Sequence, residues 1–236
     1  MASKREQVRE RKAQQTRQTR MIQMIGAGVI VLLIALVIWQ SLPKKQAQSS
    51  VTNIGDQTAC NSFADIPVAA QYSEPPMGID PTKQYFATVK MAKGGEFVIQ
   101  LYADKAPITV NSFVFLACKG YFNSVTFHRV LEGFMAQGGD PTGTGMSGPG
   151  YQFVNEDSDL VFDKEGVVAM ANAGRDTNGS QFFITYGPAD FLNGGYTIFG
   201  QVVQGMDVVN AITRRDPEQN PQFAGDAMES VTITVQ

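Results

Sequence analysis

Apolar and polar positions change rhythm twice along this chain, and each rhythm predicts a different kind of segment. Residues 21–39, "MIQMIGAGVIVLLIALVIW", are apolar without period and uncharged. As a helix, these 19 residues reach across a hydrocarbon core of about 30 Å. Residues 43–81 are polar and proline-punctuated ("KKQAQSSVTNIGDQ", "SEPPMGIDP") and sustain neither a helical nor a strand period, so they predict a linker that holds the domain off the membrane, with any order expected around Cys60. From Tyr85 onward, short apolar runs recur between glycine- and asparagine-rich turns.

"YFATVKM" and "EFVIQLY" are strand-like, and "AKGG" between them has hairpin length. "ADKAPITVNSFVFLACKG" predicts a helix with Asp104 as its cap, Pro107 in the first turn and Gly120 as terminator. Val110, Phe113, Leu116 and Ala117 then share one face, which would plug the end of a sheet. "VTFHRV", "FMAQGG", "YQFVN", "GVVAMA", "SQFFITY", "YTIFGQVV" and "ESVTITVQ" follow as strands, with "YQFVN" the weakest. A short helix, "GMDVVNAI", comes before the last of them. No internal repeat is present. Many short strands with few helices predict a mainly β domain, a closed antiparallel barrel, because closure removes exposed edges. The expected division is a leader at 1–20, a transmembrane helix at 21–42, a linker at 43–81 and the folded domain at 82–236.

Charge orients this plan. The chain of 236 residues is 43% hydrophobic and 17% charged, a globular composition. Residues 1–20 hold seven basic and two acidic side chains, leaving 12 basic and 20 acidic residues, net −8, for the rest. Basic residues before the apolar run, with only Lys44 and Lys45 close behind it, predict a cytoplasmic N-terminus and a domain outside the cell membrane. The leader then either meets anionic headgroups or is simply solvated. A cleaved signal peptide and a buried core helix are the alternatives, but a signal peptide's apolar core is typically about 7–15 residues with a small-x-small cleavage site, and "QAQSS" fits that poorly. The acidic remainder disfavours nucleic acid as a partner, since phosphate binding needs a basic face.

Both cysteines, Cys60 and Cys118, fall on the expected outer side, where disulfides persist. A bridge would close a long loop and stabilise the fold by about 4 kcal/mol. The sequence equally allows two free thiols, Cys118 at a helix end and Cys60 on a tether.

The candidate chemistry lies in "FHRVLEGFMAQGGD", residues 127–140. The only histidine of the chain, His128, stands beside Arg129, followed by Phe134, Met135 and Gln137. A guanidinium near apolar side chains suggests a pocket with one strong donor above an apolar floor. Taken singly, each residue also has a plainer role. His128 would be structural and Arg129 a surface ion-pair partner, Phe134, Met135 and Phe183 would be core, and Gly138, Gly139, Gly143 and Gly145 would serve turns. One histidine and two separated cysteines are too few for a usual metal cluster.

Three blocks change that balance: "FHRVLEGFMAQGGDPTGTG" (127–145), "AMANAGRDTNGSQFFI" (169–184) and "FLNGGYTIFGQVVQGMDVV" (191–209). In order and spacing they resemble the cyclophilin family of peptidyl-prolyl cis/trans isomerases, from about Tyr85 to the C-terminus. The resemblance implies an eight-stranded antiparallel barrel capped by two helices with a groove on its outer face. It also implies proline-containing polypeptides as substrates, no cofactor, no metal, and action as a monomer. By position, Arg129 matches the catalytic arginine; Phe134, Met135, Phe183 and Leu192 match the walls of the proline pocket. Gln137 matches the residue that orients the arginine and Asn172 one that binds substrate backbone. His128, Ala171, Ala173, Gln181 and Phe191 match further groove positions. Two departures stand out. Phe191 replaces a common tryptophan and removes an indole donor, which weakens the case for tight cyclosporin binding. Tyr196 stands where histidine is common, a change bearing on substrate preference.

The expected protein is a membrane-anchored isomerase that assists the folding of exported proteins, since uncatalysed Xaa-Pro isomerisation takes tens to hundreds of seconds. A proline-binding holdase with little turnover, and a scaffold recruiting a partner through 43–81, are the rival readings.

Overall fold

The computed structural model describes residues 58–236. The leader, the apolar run at 21–42 and residues 43–57 of the expected linker lie outside the described residues. Among the described residues, no helix is long and apolar enough to cross a membrane.

Eight strands form one antiparallel sheet: β1 (Tyr85–Met91), β2 (Glu96–Leu101), β3 (Arg129–Leu131), β4 (Met135–Gly138), β5 (Val167–Met170), β6 (Phe182–Thr185), β7 (Ile198–Gln204) and β8 (Met228–Val235). Their order is β3-β4-β6-β5-β7-β2-β1-β8. The expected closure is only partial, because β3 and β8, at the two ends of this order, do not pair as strands. Backbone bonds span the gap where the two strands begin: Phe127 N–H donates to Asp226 O at 2.9 Å and Met228 N–H to Val125 O at 2.9 Å. The segment "YQFVN" is not a strand, and Phe153 forms an isolated bridge to Asn178 instead.

Three helices accompany the sheet among the described residues: α1 (Thr58–Asn61), α2 (Pro107–Cys118) and the short α3 (Met206–Asn210). Pro107 sits in the first turn of α2, and Gly120, at φ +66°, follows its end in the left-handed conformation that glycine tolerates. Asp104 does not cap the helix. The Glu156 carboxylate does so from a distant loop, accepting from Ile108 N at 2.9 Å and Thr109 N at 2.8 Å. A carboxylate there satisfies orphan amides and faces the positive end of the helix dipole.

The helix is buried all round and not on one face, with every residue from Thr109 to Ala117 buried. Phe113 points into the barrel, its ring 4.9 Å from Phe122 and 5.5 Å from Phe182. Phe115, on the opposite side, meets Phe63 at 5.3 Å and Tyr72 at 4.9 Å. Residues 58–81, expected to be linker, thus pack on the domain as a strap. Asn111 accepts from Gly78 N at 2.8 Å and donates to Pro76 O at 3.1 Å. Lys119 Nζ donates to the carbonyls of Phe63 and Ile66. Cys60 and Cys118 are joined, with Cα atoms 5.3 Å apart. The buried polar residues of α2 therefore have partners, as burial demands.

Candidate functional site

Cross-strand register builds the site. Arg129 on β3 stands opposite Gln137 on β4, Gln137 opposite Phe183 on β6, and Phe183 opposite Ala169 on β5. Directly opposed residues share a face of the sheet, so these four side chains form one row. Their neighbours Val130, Ala136, Phe182 and Val168 point the other way, into the barrel core. Phe183 and Ala169 of that row belong to a second apolar cluster on the outer face, with Met135, Phe162, Val167, Ala189, Leu192 and Ile198.

Phe134, Met135, Phe183 and Leu192 come together there as the resemblance implied. Met135 and Phe183 are buried, whereas Phe134 is half-buried, its ring tilted 37° to that of the exposed Phe191 at 5.5 Å. Tyr196 stands edge-on to Phe183 at 5.5 Å. Phe162, which sequence reasoning missed, stacks on Phe183 at 5.8 Å and 15°. Its only signal was the apolar run "LVF" amid acidic residues, too short for any period.

Arg129 reaches over this floor. Its Nη1 lies 3.9 Å from Met135 Sδ and its guanidinium 6.0 Å from the centre of the Phe134 ring. No carboxylate pairs with it among the described residues, whereas Arg175 and Arg214 are each ion-paired, so the surface ion-pair role does not apply. A hydrogen bond from Gln137 to Arg129 is not formed; Gln137 Nε2 donates instead to Gln181 Oε1 at 3.0 Å. Gln181 in turn donates to Gly145 O at 3.0 Å and Ser147 O at 2.9 Å.

Those two carbonyls belong to a loop organised by Asp140, another residue the sequence did not single out. Its carboxylate accepts from the amides of Thr142, Gly145, Met146 and Ser147 at 2.6–3.2 Å. Burial alone would raise its pKa, but these bonds prevail and hold it at about 2, as expected when several amides bind the charged form. Gly139, at φ +91°, starts the loop where a Cβ would lie 2.2 Å from Ser180 O, so no other residue fits.

Asn172 Nδ2 donates to Gly195 O at 3.2 Å. Ala171 N–H donates to Gln181 O at 2.9 Å and Ala173 N–H to Thr177 Oγ1 at 2.9 Å. Ala171, Asn172, Ala173, Gln137 and Gln181 line a recess of about 850 Å³ next to the apolar floor. His128 behaves differently from the other groove positions. It is 2% exposed, beneath the Gly145 turn, and neither ring nitrogen has a hydrogen-bond partner. Burial lowers its pKa, against the opposing charge of Asp140.

The site thus sets a guanidinium over an apolar floor, and comparison with known proteins shows which family carries it. The family model described as "Cyclophilin type peptidyl-prolyl cis-trans isomerase/CLD" matches residues 86–234. Peptidyl-prolyl cis-trans isomerase-like 1 of Homo sapiens is 48% identical over 142 residues, 58% of this chain and 83% of that protein. Peptidyl-prolyl cis-trans isomerase A of Mycobacterium tuberculosis is 45% identical over 159 residues, 59% of this chain and 87% of that protein. A crystal structure of a Cryptosporidium parvum cyclophilin type isomerase superposes with a TM-score of 0.58 at 32% identity, covering 64% of this chain and 97% of that one. Sequence blocks, sheet and relatives converge, and the chain belongs to the cyclophilin-type peptidyl-prolyl cis/trans isomerases.

Proposed function

We propose that Arg129 is the catalytic donor of this isomerase and that the protein works from a membrane anchor on exported, proline-containing polypeptides. The observation that carries the first part is the guanidinium with no carboxylate partner, held over the apolar floor. The barrier of about 18–20 kcal/mol comes from delocalisation of the amide nitrogen lone pair. At a right-angle twist that lone pair is localised and accepts a hydrogen bond. A donor aimed at the nitrogen therefore favours the twisted state over both planar ones, which is the differential binding that lowers a barrier. Arginine stays charged at every working pH, so no proton moves.

Phe134, Met135, Phe183 and Leu192 hold the ring while the preceding segment turns, and excluded water strengthens the Arg129 contact. Asn172 and the backbone near it anchor the peptide. A related Cryptosporidium parvum structure was determined in the presence of the dipeptide Ala-Pro, which supports proline as the group held in the pocket. Exchange NMR on an Xaa-Pro peptide, comparing the full chain with Arg129→Ala, tests the role. Loss of one such donor is expected to slow exchange by about 10²–10³-fold with the fold retained. A folded variant that keeps full rate removes Arg129 from the mechanism.

The anchor rests on the uncharged run at 21–39 with its basic leader. The joined Cys60 and Cys118 support an oxidising, extracytoplasmic side. Protease added to intact cells should digest residues 58–236 and spare the leader; protection of the domain would refute the topology. The monomer stands as part of the same proposal.

A further inference from the structure

The matched family begins at residue 86, yet the recess beside the apolar floor is also lined by Gln71, which belongs to the strap. We propose that the strap is a wall of the substrate groove, with Gln71 as a specificity-determining residue and the Cys60–Cys118 bond as the tether that holds it there; this rests on the isomerase site described above.

The strap is fixed on both sides of Gln71. Tyr72 N–H donates to Pro149 O at 2.6 Å, and a Cβ on Gly150 would lie 2.8 Å from Tyr72 O and 2.9 Å from Gln71 Cβ. Glycine at 150 therefore lets strap and loop touch. Upstream, Phe63 and the Lys119 bonds clamp the strap to α2, next to the disulfide. Tyr72, buried between Phe115 and the loop, leaves its neighbour Gln71 exposed at the recess. The residues lining the recess, Asn172, Thr177 and Gln181 among them, are all uncharged. A charge entering such a recess loses hydration without gaining a counter-ion, whereas an amide or hydroxyl finds donors and acceptors. The recess thus suits an uncharged polar side chain flanking the proline, hydrogen-bonded by the Gln71 amide.

The test uses the full chain in detergent and exchange NMR on Xaa-Pro peptides carrying Asn, Ala, Asp or Lys at each flanking position in turn. At one flanking position, wild type should favour Asn, and Gln71→Ala should reduce the Asn-to-Ala ratio of kcat/KM about fivefold, the worth of one hydrogen bond. Gln71→Glu should raise the Lys-to-Asp ratio about threefold, a size typical of an exposed ion pair, which a purely structural role would not do. Reducing the disulfide should reproduce the loss seen in Gln71→Ala. Ratios unchanged in both Gln71 variants overturn the assignment; an unchanged ratio on reduction overturns the tether. A wild-type chain that turns over no peptide at all would instead overturn the isomerase site on which both depend.

Discussion

The two halves of the sheet obey different rules. In β8, β1 and β2, buried and more exposed positions alternate: Tyr85, Ala87, Val89 and Met91 face the core while Lys90 faces water. In β5 and β6 every position is buried. β7 passes from one regime to the other, buried at Ile198, Phe199 and Gly200 and exposed at Val203 and Gln204. Alternation is what an antiparallel sheet with one solvated face produces, and strands covered on both faces lose it. Here the second cover is a thin layer of Phe162, Ala189, Leu192 and their neighbours, the same layer that carries the proposed proline pocket. Unbroken apolar runs such as "VVAM" and "FFI" thus mark the doubly covered strands, whereas β3 keeps the alternation, with Arg129 and Leu131 half-buried on either side of buried Val130.

The largest effect that would sharpen this contrast comes from truncating one large side chain in each half. Phe183→Ala removes a buried aromatic from the outer cluster, at a cost of about 3–5 kcal/mol, and should also abolish peptide turnover at temperatures where the variant stays folded. Ile99→Ala, in the core on β2, should cost about 2–5 kcal/mol while the folded fraction turns over normally. Lys90→Ala removes only a solvent-exposed pair with Glu229 and should change neither property. Thermal melts read beside exchange rates decide the matter. Equal loss of specific activity in Ile99→Ala and Phe183→Ala would erase the distinction between the halves.

How much of this was legible before the structure depends on how local each signal is. β1, β2 and β8 carry their period in their own sequence, and Pro107 and Gly120 mark the ends of α2 locally. The row of Arg129, Gln137 and Phe183 was reached through the resemblance, since residues 129 and 183 meet only by register. Three features escaped for one reason. Glu156 at the helix end, Asp140 within its loop and residues 58–81 on Phe115 all act through tertiary contacts in segments with no period. Asp104 was the local choice for the cap, and a distant carboxylate displaced it. One-sided burial of α2 failed because the strap covers the side that would otherwise face water.

The smallest expected effect tests the buried residue that leads into β3 by its response to acid. His128 lies just before β3, buried, with both ring nitrogens unpartnered. Burial lowers its pKa from the ordinary 6.5, so the unfolded chain takes up a proton before the folded one does as pH falls. Stability is then complete above about 6.5 and declines as pH drops from there toward the lowered folded value. Carboxylates such as Asp140, held at about 2, titrate well below this window and do not mask it. Denaturant unfolding between pH 7.5 and 5.5 should therefore show a slope in the wild type that His128→Gln lacks. Because the proposed twist at the prolyl nitrogen involves no proton transfer, turnover by the folded protein should remain flat over the same range. A wild type whose stability does not fall, or a variant that keeps the slope, would place the acid sensitivity elsewhere and leave the buried approach to β3 without a titrating group near neutrality.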